Sequence, residues 1–257
     1  MSIYIDYLKY LVKSGNEHSL HSPFLFEFYT KVVKNKKSNP AFEQIEKLRK
    51  ELLQNRTQIK VLDLGAGSRL DNNPTKSIAS IAKNSKKSPR WGKLFYHIIQ
   101  YYQHKSIFDL GTSLGITTLY EALSSTDAEI VSFEGCPETA KIAQQNFNKL
   151  AAKNINLVVG NIDETLPIAL KKVEKLDFVF FDANHRYEPT IRYFEACLEK
   201  AHEESCFVFD DIYWSSEMKE AWNYIKKHPK VSVSADFFWI GMVWFRKKQV
   251  KQDFVLR

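Results

Sequence analysis

Apolar and polar positions change period along this chain, and the change divides it. Ile3, Tyr7, Leu8 and Leu11 recur at three- and four-residue steps with Lys9 and Lys13 outside them, which predicts an amphipathic helix over 2–13. The segment His18 to Phe24 breaks that pattern. Pro23 then suits the first turn of a second helix, rich in Phe24, Phe26, Phe28 and Tyr29 and running to about Val33. Phe42, Ile45, Leu48 and Leu52 predict a third helix over 40–54, and Leu94, Phe95, Ile98 and Ile99 a fourth over 91–102. From Ser106 onward, short apolar runs alternate with helical patterns: strands at 107–110, 129–134, 155–159, 176–182 and 205–210, with helices at 114–124, 137–152, 164–173, 189–201 and 216–228 between and after them. A pair of strands at 231–236 and 240–246 follows. Alternation of this kind predicts a parallel sheet with helices on both faces.

One stretch organises the rest. In SIFDLGTSLGITTLYEALSSTDAEIVSFE, residues 106–134, an apolar run meets Asp109, then the small-residue turn Gly111-Thr112-Ser113-Leu114-Gly115, then a helical pattern. Glycines let a backbone turn sharply and approach a ligand where a Cβ would collide. A second apolar strand ends in Glu134, about twenty residues on, where an acid suits the two hydroxyls of a ribose. Close helix–strand packing would explain the glycines but not Glu134. Ile59 to Ser68 also reads as strand plus glycine turn, yet no apolar strand ending in an acid follows at that distance. It is expected to be a loop beside the active site, or a remnant.

Asp-Leu-Gly-Thr-Ser-Leu-Gly followed by Ser-Phe-Glu-Gly resembles the first two motifs of class I S-adenosylmethionine-dependent methyltransferases. That resemblance implies a Rossmann-like, doubly wound, seven-stranded sheet with an antiparallel last strand, preceded by an N-terminal helical region. It also implies S-adenosylmethionine as methyl donor. The cofactor-binding residues would be Asp109, Gly111, Thr112, Ser113, Gly115, Glu134 and Gly135, with Ile162 and Asp163 at the adenine and Asp182 shared with the chemistry. A surface helix N-cap is the competing reading of Asp163. The Gly-x-x-x-Gly spacing departs from the dehydrogenase pattern, so NAD fits less well. Residues 1–105 are expected to form a helical cap region containing a glycine loop, 106–246 the core, and 247–257 a loosely held basic tail.

The strand ends carry further chemistry. Phe178 to Phe181 is wholly apolar and ends in Asp182, followed by Ala183-Asn184-His185; Cys206 to Phe209 ends in Asp210 and Asp211. Unpaired carboxylates so close together repel, so a cation or strong donors are needed to keep them ionised. Oxygen ligands of this kind suit Mg²⁺. The arrangement resembles metal-dependent O-methyltransferases of the catechol and macrolide-sugar types. There an acid after the fourth strand and acids after the fifth bind the metal, matching Asp182, Asp210 and Asp211 here. His185 stands where the catechol type has a lysine base. The expected reaction is Mg²⁺-assisted O-methylation of a small hydroxylated molecule, with His185 and Asp182 as catalytic residues.

Composition narrows the alternatives. Apolar residues make up 44% of 257, no run approaches a membrane span, and the lysine-interleaved start is not a secretory signal. Three cysteines, Cys136, Cys197 and Cys206, form neither a disulfide framework nor a zinc motif, and a cytoplasmic setting is the default expectation. The net charge of +7 is uneven: residues 1–105 hold 19 basic against 8 acidic side chains, the remainder 18 against 22. That basic front keeps open an RNA methyltransferase, though the tetrapeptide after the fourth strand, Asp-Ala-Asn-His, is unlike that of exocyclic-amine methylating enzymes. An inactive S-adenosylmethionine-binding module is a third reading. Oligomeric state is not legible.

Overall fold

The structure is a computed structural model that describes residues 3–62, 74–84 and 88–257. Its helices are α1 Ile3–Lys13, α2 Pro23–Phe28, α3 Pro40–Gln54, α4 Ile78–Asn84, α5 Pro89–Tyr102, α6 Ile116–Ala122, α7 Pro137–Lys149, α8 Ile162–Leu170, α9 Tyr187–Leu198 and α10 Ser216–Lys227. Its strands are β1 Gln58–Lys60, β2 Thr75–Ser77, β3 Ser106–Leu110, β4 Glu129–Glu134, β5 Ile155–Val159, β6 Leu176–Phe181, β7 Ala201–Asp210, β8 Val233–Asp236, β9 Ile240–Trp244 and β10 Gln252–Val255. Eight strands form one mostly parallel sheet in the order β10-β8-β9-β7-β6-β3-β4-β5, and β1 pairs antiparallel with β2 in a separate ribbon. The fold is mixed α/β, as the alternation predicts. Two compact units are distinguishable: Asn35–Ala169, and Met1–Lys34 together with Leu170–Arg257.

In the unit Asn35–Ala169, helix starts are set by local chemistry. The Asn39 side chain accepts the Ala41 N–H at 2.9 Å and Ser88 accepts that of Arg90 at 3.3 Å, each just ahead of a proline in the first turn. α3 buries Phe42, Ile45, Leu48 and Leu52 on one face. Gly92 of α5 allows close packing, because a Cβ there would lie 2.3 Å from the Tyr120 ring. Strands β3, β4 and β5 are parallel and in register, pairing Leu110 with Phe133 and Glu134 with Val159, so their C-terminal ends align. The second glycine turn read in the sequence, within Val61–Ser68, falls mostly on 63–73, outside the described residues.

In the other unit, every residue of β6 is buried, the apolar run Phe178–Phe181 together with Asp177 near its start, whose Oδ1 lies 2.8 Å from His202 Nε2. β6 runs parallel to β7, pairing Phe181 with Phe209, and β9 runs antiparallel to β7, pairing Asp210 with Ile240 and Cys206 with Trp244. α2 continues into one π-helical turn, Tyr29–Val33, and Phe24 and Phe28 meet the Trp244 ring edge-on at 5.5 and 5.0 Å. The tail corrects the expectation of a loose end and of seven strands. Gln252–Val255 forms β10, parallel to β8, and Gly15 N–H donates to the Val255 carbonyl at 2.9 Å. The Tyr10 and Tyr29 hydroxyls donate to the carbonyls of Leu256 and Arg257. Charged neighbours hid this strand in the sequence: only Phe254 and Val255 are apolar, the composition of an edge strand held by its main chain.

Candidate active site

The turn after β3 is shaped by backbone conformations that favour glycine. Gly111 has φ 118°, Gly115 φ 80°, and Ser113 between them φ 50°. Gly115 caps α6, and a Cβ there would lie 2.4 Å from the Phe147 ring of α7. Gly111 and Thr112 donate their N–H groups to the Phe133 carbonyl at 3.1 and 2.9 Å, fixing the turn to β4.

The acids at the two strand tips act in different ways. Asp109 is fully buried; its Oδ2 accepts the hydroxyls of Thr118 at 2.5 Å and Ser132 at 2.8 Å, and Ser132 in turn meets Thr112 at 2.5 Å. It braces the turn from within. Glu134 stands at the turn's surface: its Oε2 accepts the Ser113 N–H at 2.8 Å and its Oε1 the Cys136 N–H at 2.9 Å. Burial raises the Glu134 pKa above the ordinary carboxylate range, opposed by N–H donation from Cys136, Ser113 and Gly135.

Several supports lie outside the set of site residues expected from the sequence motifs. Asn146 of α7 donates to the Leu114 carbonyl at 2.9 Å, and Thr118 and Ser132 hold Asp109. Cys136 joins the β1 segment to this end of β4: Leu62 N–H approaches its Sγ at 3.3 Å, and its Sγ–H meets the Lys60 carbonyl at 3.5 Å. These polar residues inside elements have no motif spacing of their own. After β5, Gly160 donates to the Glu134 carbonyl at 2.9 Å. Asn161, not Asp163, caps α8 by accepting the Asp163 N–H at 3.0 Å, which leaves the Asp163 side chain exposed beside a half-buried Ile162.

In the other unit, the ends of β6 and β7 bring Asp182, His185 and Asp210 together. One ligand-type atom from each lies within 4.8 Å of the others, and His185 Nε2 is 3.7 Å from Asp182 Oδ1. Asp182 and His185 are partly exposed; Asp210 is buried. Asp211, which the sequence reading put third, is not in this group, and His185 is. The reason is backbone geometry: Asp211 adopts φ 53° and turns away from the extended course of β7. Its N–H donates to the Trp239 carbonyl at 2.8 Å and its carbonyl accepts the Trp214 N–H at 2.9 Å.

A buried carboxylate unforeseen in the sequence organises this edge. Asp236, at the end of β8, accepts from the Tyr213 hydroxyl at 2.7 Å, Trp222 Nε1 at 3.3 Å and the Phe238 N–H at 2.8 Å. The Tyr213 pKa is pushed up by burial first and then by the Asp236 charge. Tyr213 stacks on Phe238 at 4.8 Å, and Phe238 also takes the edge of Tyr7 from α1 at 4.8 Å. Among the aromatic side chains, Trp91 and Phe238 are core residues. Trp214 and Trp239 are 44% and 47% exposed, on either side of Asp211.

Comparison with known proteins bears on this geometry. Residues 108–212 match the family model described as "Methyltransferase domain". The chain is similar to an O-methyltransferase of Aspergillus flavus, 28% identical over 128 residues that make up 48% of this chain and 51% of the relative. A catechol O-methyltransferase of Niastella koreensis is 26% identical over 128 residues, 49% of this chain and 57% of the relative. The chain thus spans about half the length of the curated relatives it matches. Among solved structures, an O-methyltransferase from Bacillus cereus in complex with SAH superposes with a TM-score of 0.58 at 18% identity, covering 82% of this chain and 93% of that one. An SAH-bound methyltransferase from Podospora anserina gives 0.60 at 14% identity, covering 89% and 97%. The fold is therefore that of the class I S-adenosylmethionine-dependent methyltransferases. Within it, residues 108–212 match a methyltransferase-domain model, and the chain is similar over 128 residues to O-methyltransferases.

Proposed function

We propose that this protein is an S-adenosylmethionine-dependent methyltransferase that methylates a hydroxyl of a small molecule. One observation carries the donor half of the reading: a half-buried carboxylate, Glu134, hydrogen-bonded to the backbone of a glycine turn that adopts positive φ. The residues fit an adenosine-bearing donor. Glu134 would accept from the ribose hydroxyls, Gly111 to Gly115 would admit the methionine portion without Cβ collision, and Ile162 and Asp163 would meet the adenine. Bound S-adenosylmethionine supplies an electrophilic methyl group.

The acceptor half rests on Asp182, His185 and Asp210. Two carboxylates and an imidazole so close together fit a divalent cation held by Asp182 and Asp210, and such a cation, when bound, acidifies a coordinated hydroxyl. In this reading His185 takes the acceptor proton as general base, and Asp182 at 3.7 Å stabilises the imidazolium that results. The presence of His185 inside the group also supports a competing assignment, as a nitrogen ligand in place of the base, which would shift metal preference toward Mn²⁺ or Zn²⁺. Trp214 and Trp239 would flank the acceptor. The similarity to a catechol O-methyltransferase makes a vicinal aromatic diol the first acceptor to try.

The experiment is product analysis by mass spectrometry after incubation with S-adenosylmethionine and catechol, with and without a chelator. Methyl ether formed in the untreated enzyme, lost with chelator and lost in His185→Ala, is the expected result. Undiminished product in the chelated enzyme removes the cation, and undiminished product in the variant removes the base.

A further inference from the structure

A cavity of about 650 Å³ lies in the unit formed by Met1–Lys34 and Leu170–Arg257. Its position follows from strand direction. β9 starts beside Asp210 and ends beside Cys206, and Arg246 follows two residues past that end. The cavity therefore opens beyond the end of the β7–β9 pair opposite to the Asp182–His185–Asp210 group. Its lining is basic: Arg246, Lys247, Lys248 and His21 face a single acid, Glu203.

One lining cation, Arg246, is held against an aromatic ring. The Arg246 guanidinium lies 4.4 Å from the Phe24 ring centroid, and Phe24 is itself fixed edge-on against Trp244 at 5.5 Å. Stacking on an aromatic face orients the guanidinium plane while leaving its N–H edge for a ligand. Among the described residues Arg246, Lys247 and Lys248 have no ion-pair partner, although acidic side chains pair with lysines elsewhere in this unit, as Asp6 does with Lys219. The turn carrying them is fixed to the start of α2, since Gln249 Nε2 donates to the buried Ser22 Oγ at 2.9 Å. Lys248 adopts φ 64° within that turn.

We infer that this cavity is a binding site for a phosphate-bearing ligand, with Arg246 as the bidentate contact and Lys247 and Lys248 as neutralising charges. A planar guanidinium matches two phosphate oxygens at once, and the flanking lysines supply charge that a single arginine cannot. The volume suits a small molecule, and the lining of Phe24, Pro23 and Val250 offers apolar surface to the rest of it. The inference does not depend on the methyltransferase reading.

Calorimetric titration of the full chain with pyrophosphate at fixed ionic strength tests it. One saturable site is expected, weakened about tenfold or more in Arg246→Gln and less in the exposed Lys248→Gln, with the melting temperature unchanged in both. Co-sedimentation with vesicles containing phosphatidylglycerol, against phosphatidylcholine alone, separates the sources. Binding to the anionic vesicles that Arg246→Gln abolishes assigns the phosphate to a lipid headgroup; pyrophosphate binding without it assigns a soluble ligand. No pyrophosphate binding, with vesicle binding absent or equal in wild type and variant, overturns the inference.

Discussion

Ser113 donates its backbone N–H to the Glu134 carboxylate across 2.8 Å, joining the glycine turn of one strand to the acid at the tip of the next. The bond fixes an otherwise strained turn and aims the carboxylate. It also makes the acid's protonation state matter. Burial raises the Glu134 pKa, so the ionised form needed to accept from ribose hydroxyls is lost at higher pH than for a free carboxylate. S-adenosylmethionine affinity should fall as pH drops through that raised value, and Glu134→Gln should flatten the dependence, both measurable by calorimetry from pH 4.5 to 8. The stability linkage has the opposite sign. A raised folded pKa contributes stability that is fully present below the unfolded value and is lost as pH rises through the folded one.

Gly115→Ala combines two penalties, a left-handed backbone at φ 80° and a Cβ 2.4 Å from the Phe147 ring. A loss of about 2–4 kcal/mol is expected from strain plus overpacking. Urea unfolding of the variant reads the loss directly, and an unchanged midpoint would show that the α6–α7 contact gives way freely.

Asp236→Asn keeps the shape of the buried side chain but replaces one carboxylate oxygen with an amide donor. Tyr213, Trp222 and Phe238 all donate to this group, so at least one pairing fails, at a cost of about 1–3 kcal/mol. Because Tyr213 lies in the loop that follows Asp210 at the end of β7, turnover with an accepted substrate should fall more than S-adenosylmethionine affinity does. Equal effects on both would point to general destabilisation.

Removing residues 252–257 takes away β10 and the carbonyls that receive Tyr10 and Tyr29. The melting temperature should fall by several degrees, on the order of 1 kcal/mol for each buried hydroxyl left without its partner. A tail that contributed nothing would leave it unchanged.

The core elements were legible because their signals are local. Alternating apolar runs and helical periods place the strands from Ser106 to Asp210 within a residue or so at most ends, with β7 beginning four residues early. The Asn39-Pro40 cap and the apolar positions of α3 mark that helix without any tertiary information. What escaped depended on partners distant in sequence. β10 is stabilised by pairing with β8 and by tyrosines more than two hundred residues away, so four residues with two charged or amide side chains gave no strand signal. Asp211 looked equivalent to Asp210 because adjacent acids share a sequence environment; its positive φ separates them. Nothing in the sequence marks Asp236, and only the fold gathers three donors around it.

The most direct measurement is calorimetric titration of S-adenosylmethionine into the wild-type chain and into Glu134→Ala. One site in the wild type, weakened at least tenfold in the variant, is the outcome the account requires. A wild-type chain that takes up no S-adenosylmethionine, or a variant that binds it as tightly, would contradict it.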